Sequence, residues 1–260
     1  VNTSDQKKID KIGLNEIKGM IDSFSIKEEK FINEIYHVNL GVSFNKKEIF
    51  RYLEKKNVFP SIPLKNKFFF IPVIIDENKK DLLIFYDNMI FDEWNVHLEN
   101  FHLIEYILPT EDLEDLDTIK KKYESIEQYD FKEIINKYSI NDSIILLIFK
   151  KENKVRVLSK IKIKDNIFLK NQSFSNTNIE DQEQVKILIK NLKQIYEDYW
   201  KKSNQINTSI KLLLNVKINN SNYSKISQFE KVLEETDLIY DYVISKFDND
   251  FVYFKIIYNS

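Results

Sequence analysis

The chain has 260 residues, 43% apolar and 31% charged, which is enough for a sizeable core and argues against disorder as the default. A formal net charge of −2 gives no global field to recruit nucleic acid or an anionic membrane. The absence of Cys excludes disulfides, thiolate metal sites and a Cys nucleophile, and three Gly are too few for P-loop or dinucleotide-binding loops.

The chain has no Ala and only 2 Arg, against 37 Lys and 39 Ile. This bias follows an AT-rich coding genome, so an exposed lysine carries little information about function. The longest apolar runs, 68–75 and 143–149, are far short of the ~18–20 residues needed to span a bilayer. Because the sequence starts at Val1, removal of a signal peptide is one expectation.

Residues 1–30 are expected to form a polar N-terminal segment, partly helical or frayed. Tyr36, Val38, Leu40, Val42 and Phe44 alternate with His37, Asn39, Gly41 and Ser43, the period of a strand with one apolar face. Asn45 with Glu48 three residues on is a capping box, and it opens a helix to about Lys56. Strands follow at 68–75 and 82–85. Pro72 lacks the N–H of a central strand, which predicts an edge or a bulge there. The order so far is β-α-β-β.

Residues 91–105 have no clean period, and 103–108 reads as a short strand ending at Pro109. Acidic residues at 111–117 precede Lys120, Lys121 and Lys122, the arrangement a helix dipole prefers. Asp130 with Glu133 caps a helix to about Tyr138, and strands are predicted at 143–149, 155–163 and 167–174. Over 178–203, Val185, Leu188, Ile189, Leu192, Ile195, Tyr196 and Tyr199 form one helical stripe. The tail gives a strand at 210–218, a helix at 224–233, and strands at 238–246 and 251–258, again β-α-β-β. The fold class is therefore α+β: mostly antiparallel sheets with helices on one face, in halves at 31–125 and 126–260, forming one compact unit or two intimate domains.

Three stretches carry a resemblance: Val42-Ser-Phe-Asn45 with the helix to Leu53, Leu108-Pro-Thr-Glu-Asp-Leu-Glu-Asp115, and the closing unit at 212–258. Through them the chain resembles a family of uncharacterised proteobacterial proteins, domain of unknown function 2066. The motifs are short and mostly structural. The resemblance implies a bacterial protein associated with the cell envelope, and it supplies no activity and no catalytic residues.

The candidate sites are few. His97 and His102 lie near carboxylates, Asp92 among them, but sit five apart, which suits neither a zinc-binding helix nor one face of a strand. Glu111, Asp112, Glu114, Asp115 and Asp117 lack the alternate spacing, the Gly and the terminal Glu of a calcium loop. No Ser lies in a nucleophile motif. Lys154, Arg156, Lys160, Lys162 and Lys164 share strand parity, so five cations are expected along one sheet face as a possible anion-facing patch.

The expected function is a non-enzymatic binding or assembly module of the bacterial envelope, periplasmic, with cytoplasmic as the alternative compartment. No cofactor and no metal are expected. The partner is expected to be another envelope protein, without strong nucleic-acid binding. Two alternatives stay open: a metal-dependent enzyme with its site at 91–117, and an anion or nucleic-acid binder using the cationic strand 154–164. The oligomeric state stays open as well.

Overall fold

The computed structural model describes residues 1–96, 99, 101–151, 154–175, 177–221 and 223–260. In chain order the first elements are α1 (Thr3–Ile9), α2 (Leu14–Gly19), β1 (Ile21–Ile32), β2 (Ile35–Phe44), α3 (Lys46–Lys55), β3 (Asn66–Asp76), β4 (Asp81–Leu83), α4 (Met89–Glu93) and β5 (Ile104–Ile107). They continue with α5 (Leu113–Lys120), α6 (Lys132–Lys137), β6 (Ser143–Lys151), β7 (Lys154–Ile163), β8 (Asn166–Ser175), α7 (Gln182–Ser203), β9 (Lys211–Asn219), α8 (Tyr223–Glu235), β10 (Ile239–Phe247) and β11 (Phe251–Asn259). The class is α+β with mostly antiparallel pairing, as the sequence patterns imply.

The chain divides into two compact units, Val1–Ile62 with Asn204–Ser260, and Pro63–Ser203. The second unit is thus inserted into the first, where the sequence suggests halves meeting near residue 125. The difference comes from one long-range pairing. β3 and β6 lie side by side in parallel, Phe69 opposite Ser143 through Asp76 opposite Lys150, which ties 66–76 to 143–151 in one sheet.

In the inserted unit the strand path is β4-β3-β6-β7-β8, with β5 also pairing β3. Helices cover both faces of this sheet, not the single face expected. On one face Phe70, Leu146 and Val157 pack with Trp94 after α4 and with the α7 stripe. On the other, Phe69, Leu147 and Phe149 pack with Ile119 of α5 and Ile134 of α6. A strand buried on both sides needs apolar residues at every position, which is why 68–75 and 143–149 are unbroken apolar runs.

Pro72 lies inside β3, a central strand, and not at an edge. β5 pairs with residues 66–69 of β3 and β4 with residues 74–76, which leaves a gap opposite Pro72. The Asn88 side-chain amide fills it, donating to the Pro72 carbonyl at 3.0 Å and to the Ile84 carbonyl at 2.9 Å. The missing N–H of Pro72 faces that same gap, so the ladder with β6 loses nothing.

α7 begins at Gln182, four residues later than the sequence stripe suggests. The Asp181 carboxylate accepts from the Gln184 N–H at 3.0 Å and caps the helix there. Val185, Leu188, Ile189, Leu192 and Tyr196 are buried as the stripe requires, while Ile195 is half-buried at its margin.

The first unit has small cores. Tyr52, Leu53 and Val58 pack with Met20 and with the apolar sides of α1 and α3. α8 covers one face of the sheet β10-β11-β9 through Ile226, Phe229 and Leu233, against Val252, Phe254 and Ile256. Residues 1–30, expected to be frayed or partly helical, hold α1, α2 and most of β1. β1 pairs with β2 as a separate two-stranded sheet joined by a turn at Asn33 and Glu34.

Candidate functional site

The five predicted cations do not form one accessible stripe. Lys154, Arg156, Lys160 and Lys162 lie on β7 with common parity, but Leu158 on the same parity belongs to a helix-covered core. Arg156 pairs with Glu127 at 2.5 Å and stacks over the Phe149 ring. Lys160 is half-buried and donates to the Tyr129 carbonyl at 2.9 Å. Lys164 falls beyond the strand end, in a turn with positive φ. Only Lys154, Lys162 and Lys164 are exposed. Titration with single-stranded DNA at ~0.15 M salt is expected to show no sub-micromolar binding. Tight binding abolished by Gln at all five positions would contradict this.

The acidic segment is occupied from within. Asp112 caps α5 by accepting from the Glu114 and Asp115 amides, and Lys137 Nζ sits 2.6 Å from Asp115 and 3.5 Å from Asp112. A lysine thus supplies the positive charge between these carboxylates. His102 accepts from the Glu99 N–H at 3.4 Å, and burial together with Lys193 pulls its pKa below the ordinary histidine value. Asp92 is exposed on α4, and His97 lies outside the described residues. Among the described residues no group of three or more His, Asp and Glu could hold a metal ion.

Sequence reasoning missed a buried charged pair on α7. Lys193 and Glu197 are each 1% exposed. Lys193 Nζ donates to the Trp94 carbonyl at 2.5 Å and lies over the Trp94 and Tyr106 rings. Glu197 Oε1 accepts from the Leu103 and Ile104 amides at 2.8 and 2.9 Å, and Oε2 lies 3.8 Å from Lys201. The signal was present as the row Ile189, Lys193, Glu197 and Lys201, spaced by four alongside a buried stripe. These groups bind backbone, so they hold Trp94, Leu103 and Ile104 against α7.

Burial pushes the Lys193 ammonium down to about 8 against the opposing pull of Glu197. An unfolded lysine holds its proton to about pH 10.4, so between these values the unfolded state binds more protons and stability rises with pH. Relative to a Lys193→Met variant, the native chain should gain on the order of 1–2 kcal/mol between pH 8 and pH 10. Urea melts of the two proteins at both pH values check this. Identical pH dependence would contradict it.

A further exposed apolar surface is the β1–β2 ribbon. The register places Phe24 opposite Val42, Ile26 opposite Leu40 and Phe31 opposite Tyr36, with Glu29 opposite Val38. One face therefore carries apolar side chains at every level except Glu29. The other carries Ser23, Ser25, Glu28 and Lys30 opposite Ser43, Gly41, Asn39 and His37, with Ile32 opposite Ile35 at the tip. Phe24 is 72% and Phe31 71% exposed, and Ile26, Tyr36, Val38, Leu40, Val42 and Phe44 are exposed as well. Glu29 hydrogen-bonds the Tyr36 hydroxyl and raises its pKa, so the one charge on this face has a neighbour on the same face.

The base of the ribbon is fixed. Asn45 N–H donates to the Met20 carbonyl at 2.7 Å, and Asn45 caps α3 through the Glu48 amide at 3.2 Å. Lys46 donates to the Thr236 carbonyl at 2.7 Å and Lys47 pairs with Asp241 at 2.6 Å. A cleft of about 420 Å³ lies beside these residues, lined by Asp22, Phe44, Tyr240 and Tyr242 among others. A two-stranded ribbon is marginal alone in water, and packing of its apolar face is what makes such a unit stable.

Together these features define an α+β protein of two units whose most prominent open chemistry is an amphipathic β-ribbon. No family model, no curated protein and no solved structure matches the chain. No helix among the described residues is long and apolar enough to cross a membrane.

Proposed function

We propose that the chain is a non-enzymatic assembly module that works by burying the apolar face of the β1–β2 ribbon against a protein partner. One observation carries this reading: eight exposed apolar side chains on one face of a sheet that nothing covers among the described residues. Contiguous apolar surface on this scale marks an interaction site, whereas single exposed apolar residues need no explanation. The bulges in β1 at Ile21/Ser23 and Ile26/Glu28, with Lys27 and Lys30 on the same strand, blunt strand addition at its edge. On β1 the face, and not the edge, is thus the docking element.

Placement at the bacterial cell envelope, on the periplasmic side, belongs to the same proposal and is carried by the family resemblance alone. Cross-linking and affinity recovery from the native host test the docking reading. The native chain is expected to recover a stable protein complex, a second copy included, and Leu40→Lys to lose it. Equal recovery by both proteins, or turnover supported by a metal bound near His102, would count against the reading.

A further inference from the structure

We propose that the partner of the ribbon is a second copy of this chain, the two apolar faces packing together about a two-fold axis at the Ile26–Leu40 level. This inference rests on the assembly reading above and names its partner. The area is right. Aromatic side chains carry ~150–250 Å² each and aliphatic ones less, so the exposures on this face amount to at most roughly 800 Å², the scale each partner gives to a standard interface. The face is also self-complementary: an apolar strip, polar behind over most of its length, can pack on its own image as two sheet layers do, about 10 Å apart. Closed two-fold pairs are the commonest soluble assemblies.

Charge separates this occupant from a lipid surface. Residues 21–44 hold Asp22, Glu28, Glu29 and Glu34 against Lys27 and Lys30, so a uniformly anionic membrane repels the ribbon. A second copy, though also net negative, brings Lys27 and Lys30 as counter-charges. Glu29, in the middle of the apolar face, also disfavours contact with hydrocarbon.

Charge also fixes the direction of packing. Glu29 stands opposite Val38, two residues from Leu40. An antiparallel arrangement about the Leu40 level keeps the two Glu29 carboxylates about 13 Å apart along the ribbon, whereas a parallel one brings them to the same level. The antiparallel pair also places the Phe31–Tyr36 end of one ribbon on the Phe44 end of the other.

Sedimentation of the full chain across ~1–200 µM tests the proposal. A dimer at ~10 µM is expected. Leu40→Lys should weaken it at least ~100-fold with an unchanged far-ultraviolet spectrum, while Ser25→Lys on the polar face leaves it intact. Because the chain has no Cys, single cysteines report on geometry. With a bifunctional maleimide of ~10 Å span, Leu40→Cys should cross-link as a dimer and Tyr36→Cys, about 26 Å from its mate, should not. Equal cross-linking at both positions overturns the antiparallel arrangement.

A monomer at every concentration overturns the second-copy inference. If that monomer still recovers a host protein that Leu40→Lys loses, the docking reading stands without it; if recovery is unaffected, both fall. Retention of a monomer on phosphatidylglycerol vesicles, lost in Leu40→Lys, overturns it in favour of a lipid surface.

Discussion

Leu192→Ala is expected to lower the stability of the chain by roughly 2–5 kcal/mol. Leu192 is fully buried in the middle of α7, in the cluster that joins this helix to Phe70, Leu146 and Val157 of the sheet. Truncation removes about three carbons of buried surface and leaves a cavity. Leu146 and Val157 in that cluster are held by ladders on both sides, so they cannot readily collapse into the cavity. Chemical denaturation checks the value. A loss below ~1 kcal/mol would mean that α7 does not press its stripe against the sheet.

Glu197→Leu is expected to cost about 2–5 kcal/mol, while Glu197→Gln costs less than about 1 kcal/mol. The carboxylate is the acceptor for the Leu103 and Ile104 amides at the entry to β5. Leucine matches its bulk but leaves two buried N–H groups without an acceptor, and each such loss costs about 1–3 kcal/mol. Glutamine keeps the accepting oxygen. Burial raises the Glu197 pKa in opposition to these two donors, so loss of the charge alone is cheap and loss of the acceptor is not. Equal destabilisation by Leu and Gln, read by the same denaturation assay, would show that charge and not hydrogen bonding matters here.

Elements whose signal is local were legible in the sequence. The α7 stripe, Val185 to Tyr199, spans about four turns, and Asn45 with Glu48 gives the start of α3 to the residue. Elements defined by remote partners were not. The parallel pairing of β3 with β6 links residues some 75 apart, and nothing local announces it, so the unit boundaries were misplaced. The unbroken apolar runs did hold evidence of a sheet buried on both faces, because a sheet covered on one side alternates. Pro72 misled because its gap is filled by a side chain, Asn88, and not by a strand.

The candidate site was half legible. β2 shows its alternation plainly, whereas β1 is interrupted by the bulge at Ile26/Glu28 and by the run Lys27-Glu-Glu-Lys30, so its apolar parity does not persist. Alternation also says only that one face is apolar. Whether that face meets a core or stays open is decided by tertiary structure, and here it stays open.

The most direct test is hydrogen exchange of the β2 amides in the full chain as a function of protein concentration. An open two-stranded ribbon exchanges quickly, because little holds its ladder closed. If the apolar face docks on a second copy, protection at 35–44 should rise at least ~10-fold between ~1 and ~100 µM, and Leu40→Lys should abolish the rise. Exchange in β2 that is independent of concentration, with β3 and β6 equally protected throughout, would contradict the account.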